Sequence, residues 1–120
     1  NRITFVQLLS PTTSYKRMKK IIKHAQMLYY ISMLSTTGGI LKTSSKEILK
    51  NYKKIKVLAK SRNCVIGFGI TSKNISSFKT ADGCVVGSQI CKKISESVKK
   101  KQNPVTNVGN MVKNLRRKLL

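Results

Sequence analysis

Between Val65 and Ile94 the chain reads VIGFGITSKNISSFKTADGCVVGSQICKKI. Two short apolar runs each break on glycine, the first at Gly67-Phe68-Gly69 and the second at Gly87-Ser88. Without a Cβ atom, Gly69 and Gly87 would let backbone N–H groups approach an anion closely. A helix starting at Ser88 or Gln89 would add unpaired N–H donors and a partial positive charge. These features predict a phosphate cup built from backbone amides, with no charged side chain required. One glycine break alone would mark no more than a tight strand-to-helix turn. Two breaks in register on successive units, with Ser88 beside the second, favour phosphate.

The other reactive side chains offer little. Only Asp82, Glu47 and Glu96 are acidic. Asp82 precedes a strand, so it is expected at the end away from the ligand, as a turn residue. Glu47 and Glu96 fall in helical stretches and read as solvated. His24 falls near a helix C-terminus, where the helix dipole favours it. Cys64, Cys84 and Cys91 are odd in number and lack C-x-x-C spacing. Cys64 and Cys84 sit in apolar runs and read as small buried hydrophobes in a reducing compartment. With His24 the sole histidine, no metal site is expected.

The elements that must position the cup alternate along the chain. Ile3 to Leu9 is rich in strand formers and is broken by Ser10-Pro11-Thr12. Tyr15 to Ala25 places Met18, Ile21, Ile22 and Ala25 at helical spacing. Met27 to Ile31 reads as a strand, and Ser32 to Ser45 as a long polar loop. A helix is predicted from about Lys46 to Lys60, with Ser44 or Ser45 as N-cap and Glu47 in its first turn. Cys64 to Phe68 and Gly83 to Val86 are the third and fourth strands. Ser72 to Lys79 is read as a short helix between them. Further helices follow from Ser88 or Gln89 to about Lys100, and after Asn103-Pro104. The order β-α-β-α-β-α-β-α-α implies parallel pairing with right-handed crossovers. It fits a small doubly wound sheet or half of an eight-stranded barrel. In either, the small residues gather at the C-terminal strand ends, the ligand face.

Composition limits the partners. The chain has 120 residues, is 40% apolar and carries a net charge of +22. Such an excess would suit nucleic acid or an anionic surface. Here the lysines run from Lys16 to Lys118 mostly singly or in pairs, as drift in an A/T-rich genome would leave them, and aromatics are only 6%. A basic nucleic-acid module would want clustered cations interleaved with exposed aromatics, so nucleic acid is not the expected partner. No apolar run approaches the roughly 18 residues of a membrane span. The chain starts at Asn1 inside an apolar run, without an initiator Met, and is expected to be a fragment.

Four motifs resemble the second half of the tryptophan synthase alpha subunit family. FVQLLSPTTSYKRMKKI is similar to the family's fifth strand, break and helix. YYISMLSTTGG is similar to its sixth strand and mobile loop, Tyr-x-x-Ser-x-x-Gly-Val-Thr-Gly. GFGIT matches Gly-Phe-Gly-Ile-Ser, and ADGCVVGSQI matches Ala-Asp-Gly-x-x-Val-Gly-Ser-Ala-Ile. The resemblance implies the C-terminal half of a (β/α)8 TIM barrel of the ribulose-phosphate-binding type, with residues 1–120 forming one half-barrel. Such barrels take about 250 residues. It further implies a lyase of tryptophan biosynthesis that cleaves indole-3-glycerol phosphate to indole and glyceraldehyde 3-phosphate. A carboxylate pair does the acid–base work, no cofactor is used, and the indole passes to a beta subunit in an alpha2beta2 complex. The location would be the cytoplasm, or the plastid stroma.

By the same resemblance, Gly38, Gly69, Gly87 and Ser88 would bind the substrate phosphate. Thr37 would sit on the closing loop, Tyr29 would line the pocket, and Phe68 and Leu9 would touch the indole. The family's catalytic carboxylates lie in the other half, so no catalytic residue is expected in this chain, which alone would be inactive. With the first and fourth strands left as open edges, it would also be poorly soluble, oligomeric or partly molten. Ser35, Leu34, Thr36, Asn63 and Gln89 depart from the family pattern, Gln89 by replacing a small alanine beside the phosphate helix. Other phosphate-binding barrels of the tryptophan and histidine pathways, and the basic module, are the alternatives.

Overall fold

The structure, a computed structural model, describes residues 3–32 and 43–120. Four strands, β1 (Val6–Leu9), β2 (Met27–Ile31), β3 (Asn63–Gly67) and β4 (Gly83–Cys84), pair in parallel in the order β1-β2-β3-β4. Helix α1 (Tyr15–His24) connects the first pair and α2 (Ser45–Ala59) the second. Helices α3 (Ser88–Lys99) and α4 (Pro104–Leu119) follow β4.

Local chemistry accounts for the helix starts. Ser14 caps α1 by accepting from the Arg17 N–H, and Ser44 caps α2 by accepting from the Glu47 N–H. Asn103 accepts from Val105 and Thr106, and Pro104 occupies the first turn, where a missing N–H costs nothing. Several elements are shorter than the sequence suggests; β4, for one, ends at Cys84 rather than Val86. β1 begins at Val6 rather than Ile3, because its one neighbour begins at Met27, the residue paired with Val6. Ile3 and Phe5 therefore remain exposed. The connection between β3 and β4 holds only a four-residue 3-10 turn, Ile75–Phe78, in place of the helix expected over Ser72–Lys79. Ile75 and Phe78 nonetheless plug the core.

That core lies on one face of the sheet. Leu9, Leu28, Tyr30, Cys64 and Ile66 pack there against Ile22 of α1, Ile48, Tyr52, Ile55 and Ala59 of α2, and Leu115 of α4. The other face has no covering layer among the described residues. Leu8 is 58% exposed on it and Val6 40%. Parallel sheets normally bury both faces, so this arrangement is half of a layered structure. A second uncovered apolar strip, Ile94, Val98, Val105 and Val112, runs along α3 and α4.

Candidate phosphate-binding site

The first glycine break is a turn held from three directions. Phe68 and Gly69 have φ values of 70° and 72°, both left-handed. Glycine accepts that conformation freely, but a phenylalanine there costs about 1–2 kcal/mol. Ser32, fully buried at the end of β2, compensates. Its N–H donates to the Gly67 carbonyl at 2.9 Å, and its hydroxyl reaches the carbonyls of Gly67 (2.8 Å) and Phe68 (2.5 Å). Asn74 holds the next stretch, accepting from the Thr71 N–H at 2.7 Å and donating to the Gly69 carbonyl at 2.9 Å. From across the site, Gln89 accepts from the Ser72 N–H at 3.0 Å.

The second break is different in kind. Gly87 has φ −110° and ψ −71° and precedes α3, whose start has no side-chain cap. A Cβ built on Gly87 would meet no atom within 4 Å. Neither a left-handed turn nor packing among the described residues accounts for glycine at this position. Its carbonyl accepts from Ile90 and Cys91, while α3 has no acidic residue in its first turn. The amides of Ser88 and Gln89 thus begin a helix that carries its dipole charge unopposed.

These two breaks meet. Tyr29, Phe68, Gly69, Ile70, Val85, Gly87 and Ser88 line one cavity of about 260 Å³ beyond the C-terminal ends of β3 and β4. None of these seven residues is charged. Larger grooves exist, one of about 740 Å³ between α3 and α4 and one of about 490 Å³ at the ends of β1 and β2, but neither includes Gly69 or Gly87. Of the residues expected at the site, the cavity gathers Tyr29, Phe68, Gly69, Gly87 and Ser88. Thr37 and Gly38 lie outside the described residues.

Leu9 is placed elsewhere, and the expectation for it is corrected. It is 1% exposed and belongs to the core between sheet and helices. Register explains this: Leu9 pairs with Tyr30, whereas Leu8 pairs with Tyr29 and shares its face. Of the two tyrosines, Tyr29 points to the open face and Tyr30 to the helices. Burial pushes the Tyr29 hydroxyl above its usual value of 10.0, so it is a neutral donor at neutral pH.

Two further contributors were not evident from the sequence. Ser32 anchors the strained turn, as described. Gly67 makes room for Tyr29, since a Cβ there would lie 1.8 Å from the tyrosine oxygen. The available signal was a glycine on β3 facing the same side as an aromatic on β2. Asp82 is at the opposite end of β4, where its Oδ2 accepts from Lys56 Nζ at 2.7 Å and the Cys64 N–H at 2.8 Å. His24 ends α1, exposed, and Glu47 is exposed on α2.

The model of the family described as tryptophan synthase alpha chain matches residues 1–119. The chain belongs to that family. It is 64% identical over 118 residues to the tryptophan synthase alpha chain of Pelagibacter ubique (strain HTCC1062), covering 98% of this chain and 44% of that one. The alpha chain of Aquifex aeolicus (strain VF5) is 35% identical over 119 residues, covering 95% of this chain and 42% of that one. The crystal structure of tryptophan synthase subunit alpha from Legionella pneumophila str. Paris superposes with a TM-score of 0.78 at 30% identity, covering 95% of this chain and 41% of that one. Subunit alpha from Campylobacter jejuni gives a TM-score of 0.71 at 29% identity, covering 94% and 44%. The chain thus spans less than half the length of these tryptophan synthase alpha relatives. Its four-stranded parallel sheet is part of a TIM barrel, which explains why one face has no cover.

Proposed function

We propose that residues 1–120 are the C-terminal half-barrel, strands five to eight, of an alpha chain that cleaves indole-3-glycerol phosphate to indole and glyceraldehyde 3-phosphate. The observation that carries this reading is the uncharged cavity where Gly69, Gly87 and the uncapped start of α3 converge. Backbone amides and a helix dipole suit a phosphate monoester, and such sites recur after the last strands of TIM barrels. Tyr29 and Phe68 border the same cavity, on the side that a barrel interior would occupy, and would meet the indole end. Thr37 and Gly38, which follow β2 in the sequence, would close over the substrate and add one more amide to the phosphate.

The acid–base work falls to a carboxylate pair in the other half of the barrel. None of the described carboxylates is a substitute: Asp82 is committed to Lys56 and Cys64, and Glu47 and Glu96 project from helices. The 120 residues alone would therefore bind phosphate weakly and release no indole. The beta subunit of tryptophan synthase would receive the indole, and the complex would work in the cytoplasm or a plastid stroma.

The test is an assay of indole release from indole-3-glycerol phosphate. The full-length protein is expected to release indole, and Gly87→Asp in that protein is expected to raise KM at least tenfold by placing a carboxylate beside the phosphate. No turnover by the full-length protein, or a KM that ignores G87D, would refute the reading.

A further inference from the structure

The loop from Phe68 to Ser72 brings Phe68, Gly69 and Ile70 to the cup, yet no helix carries it. The connection that should hold one has only the 3-10 turn at Ile75–Phe78. Its position is set instead by side chains. Asn74 acts from within the loop. Ser72, at its far end, is gripped from outside on both sides: its N–H donates to Gln89 Oε1 at 3.0 Å, and its carbonyl accepts from Lys118 Nζ at 2.6 Å. Gln89 is the second residue of α3, and Lys118 lies in the last turn of α4.

Gln89 thus ties together the two backbone segments that face the cavity. One segment is the loop containing Gly69, and the other is the first turn of α3, to which Gln89 itself belongs. Amide donors hold an anion well only when several converge at hydrogen-bonding distance together. Where donors come from separate segments, whatever sets their spacing sets the affinity. An alanine here would have no acceptor, and the Ser72 N–H would turn to water. The departure from the small residue usual at this position therefore adds a strut.

We infer that Gln89 is a positioning residue for phosphate: by accepting from the Ser72 N–H, it fixes the Gly69 loop against the start of α3, and Lys118 braces the same residue from behind. This rests on the phosphate reading above and adds to it the residue that sets the cup's dimensions.

The experiment uses the full-length protein, with inorganic phosphate and glycerol 3-phosphate as probes and calorimetry well below the melting temperature. Gln89→Ala is expected to weaken both probes about fivefold, as loss of one net hydrogen bond would. KM for the phosphorylated substrate should rise by a similar factor while kcat stays within about twofold, the pattern of lost uniform binding. A lower melting temperature with unchanged affinity and KM would mean that Gln89 is merely structural, and would overturn the inference while leaving the phosphate reading intact. Should Gln89→Ala fail to fold, Lys118→Met probes the same loop from the other side. A loss of affinity of about twofold or more would support the brace, and unchanged affinity would overturn it. If the unaltered protein binds neither probe, the phosphate reading fails, and this inference with it.

Discussion

Strand β3 meets two different environments at its ends. At Cys64, near its start, the neighbouring polar groups bond to one another. Asp82 accepts from Lys56 and the Cys64 N–H, and the Asp82 N–H donates to the Tyr52 hydroxyl at 2.9 Å. That hydroxyl in turn donates to the Cys64 carbonyl at 3.0 Å. Lys56 also reaches the Arg62 carbonyl, and Arg62 closes the end of α1 through the carbonyls of Ala25 and Lys23. Beyond Gly67, at its finish, the backbone turns left-handed, a glycine has empty space before it, and a helix starts uncapped. The closed end spends its polar groups on one another, so it contributes stability and has nothing to offer a ligand. The open end holds its donors in place with Ser32, Asn74 and Gln89 while leaving others free, which is what an anion site requires. This is the usual division of labour between the two faces of a barrel.

The sharpest way to break that comparison is to damage the closed end. Asp82→Ala leaves the buried Cys64 N–H unpaired and strands Lys56, and should cost about 2–3 kcal/mol of stability by urea denaturation of the full-length protein. Phosphate affinity measured on the folded fraction should not change. A large change in affinity would mean that the two ends are coupled.

Gly67→Ala should come next. The new methyl would collide with the Tyr29 ring and force it to another rotamer on the uncovered face, so about 1–3 kcal/mol is expected rather than unfolding. Tyr29 would leave the cavity, and KM should rise. In a Tyr29→Ala background most of the stability cost should vanish, and a double-mutant cycle would show whether it does.

The two cup glycines should then separate. Gly69→Ala forces an alanine to φ 72°, at about 1 kcal/mol of stability. Gly87→Ala meets neither strain nor clash, so its melting temperature should stay close to that of the parent while phosphate affinity falls. Equal melting losses for both would show that Gly87 also serves the turn.

The smallest effect is in pH dependence. Burial works against the Asp82 charge, but the Lys56 ammonium and the Cys64 amide outweigh it and hold the carboxyl below its usual 3.8. A depressed folded value means that the contribution is present above about pH 4 and is lost as pH falls through the folded value. Acid titration of stability should show this drop in the parent protein and not in Asp82→Asn.

Much of the fold could be read from local signals, because those signals act within a few residues. β2 falls at Met27–Ile31 as its strand formers predict, and of the two serines that could cap α2, Ser44 does so. The two glycine breaks are likewise visible as sequence. Leu9 shows where this kind of reading ends. Alternation shows that Leu8 and Leu9 face opposite ways but not which way, and only pairing with Tyr29 and Tyr30 sets the phase. The missing helix after Ser72 has a similar cause. Ile75 and Phe78 are three apart and suit a helix face, but burying both across a short connection leaves only a 3-10 turn.

The sequence alone determined which residues could form strands, helix starts and glycine breaks, since steric freedom at a glycine and capping by a serine or asparagine are properties of a few adjacent residues. Tertiary structure decided which of those breaks face one another, which tyrosine meets the cavity, and that Gln89 spans from α3 to Ser72. Those are contacts between residues far apart in the chain, and they exist only once a register, a sheet face and a packing angle have been chosen.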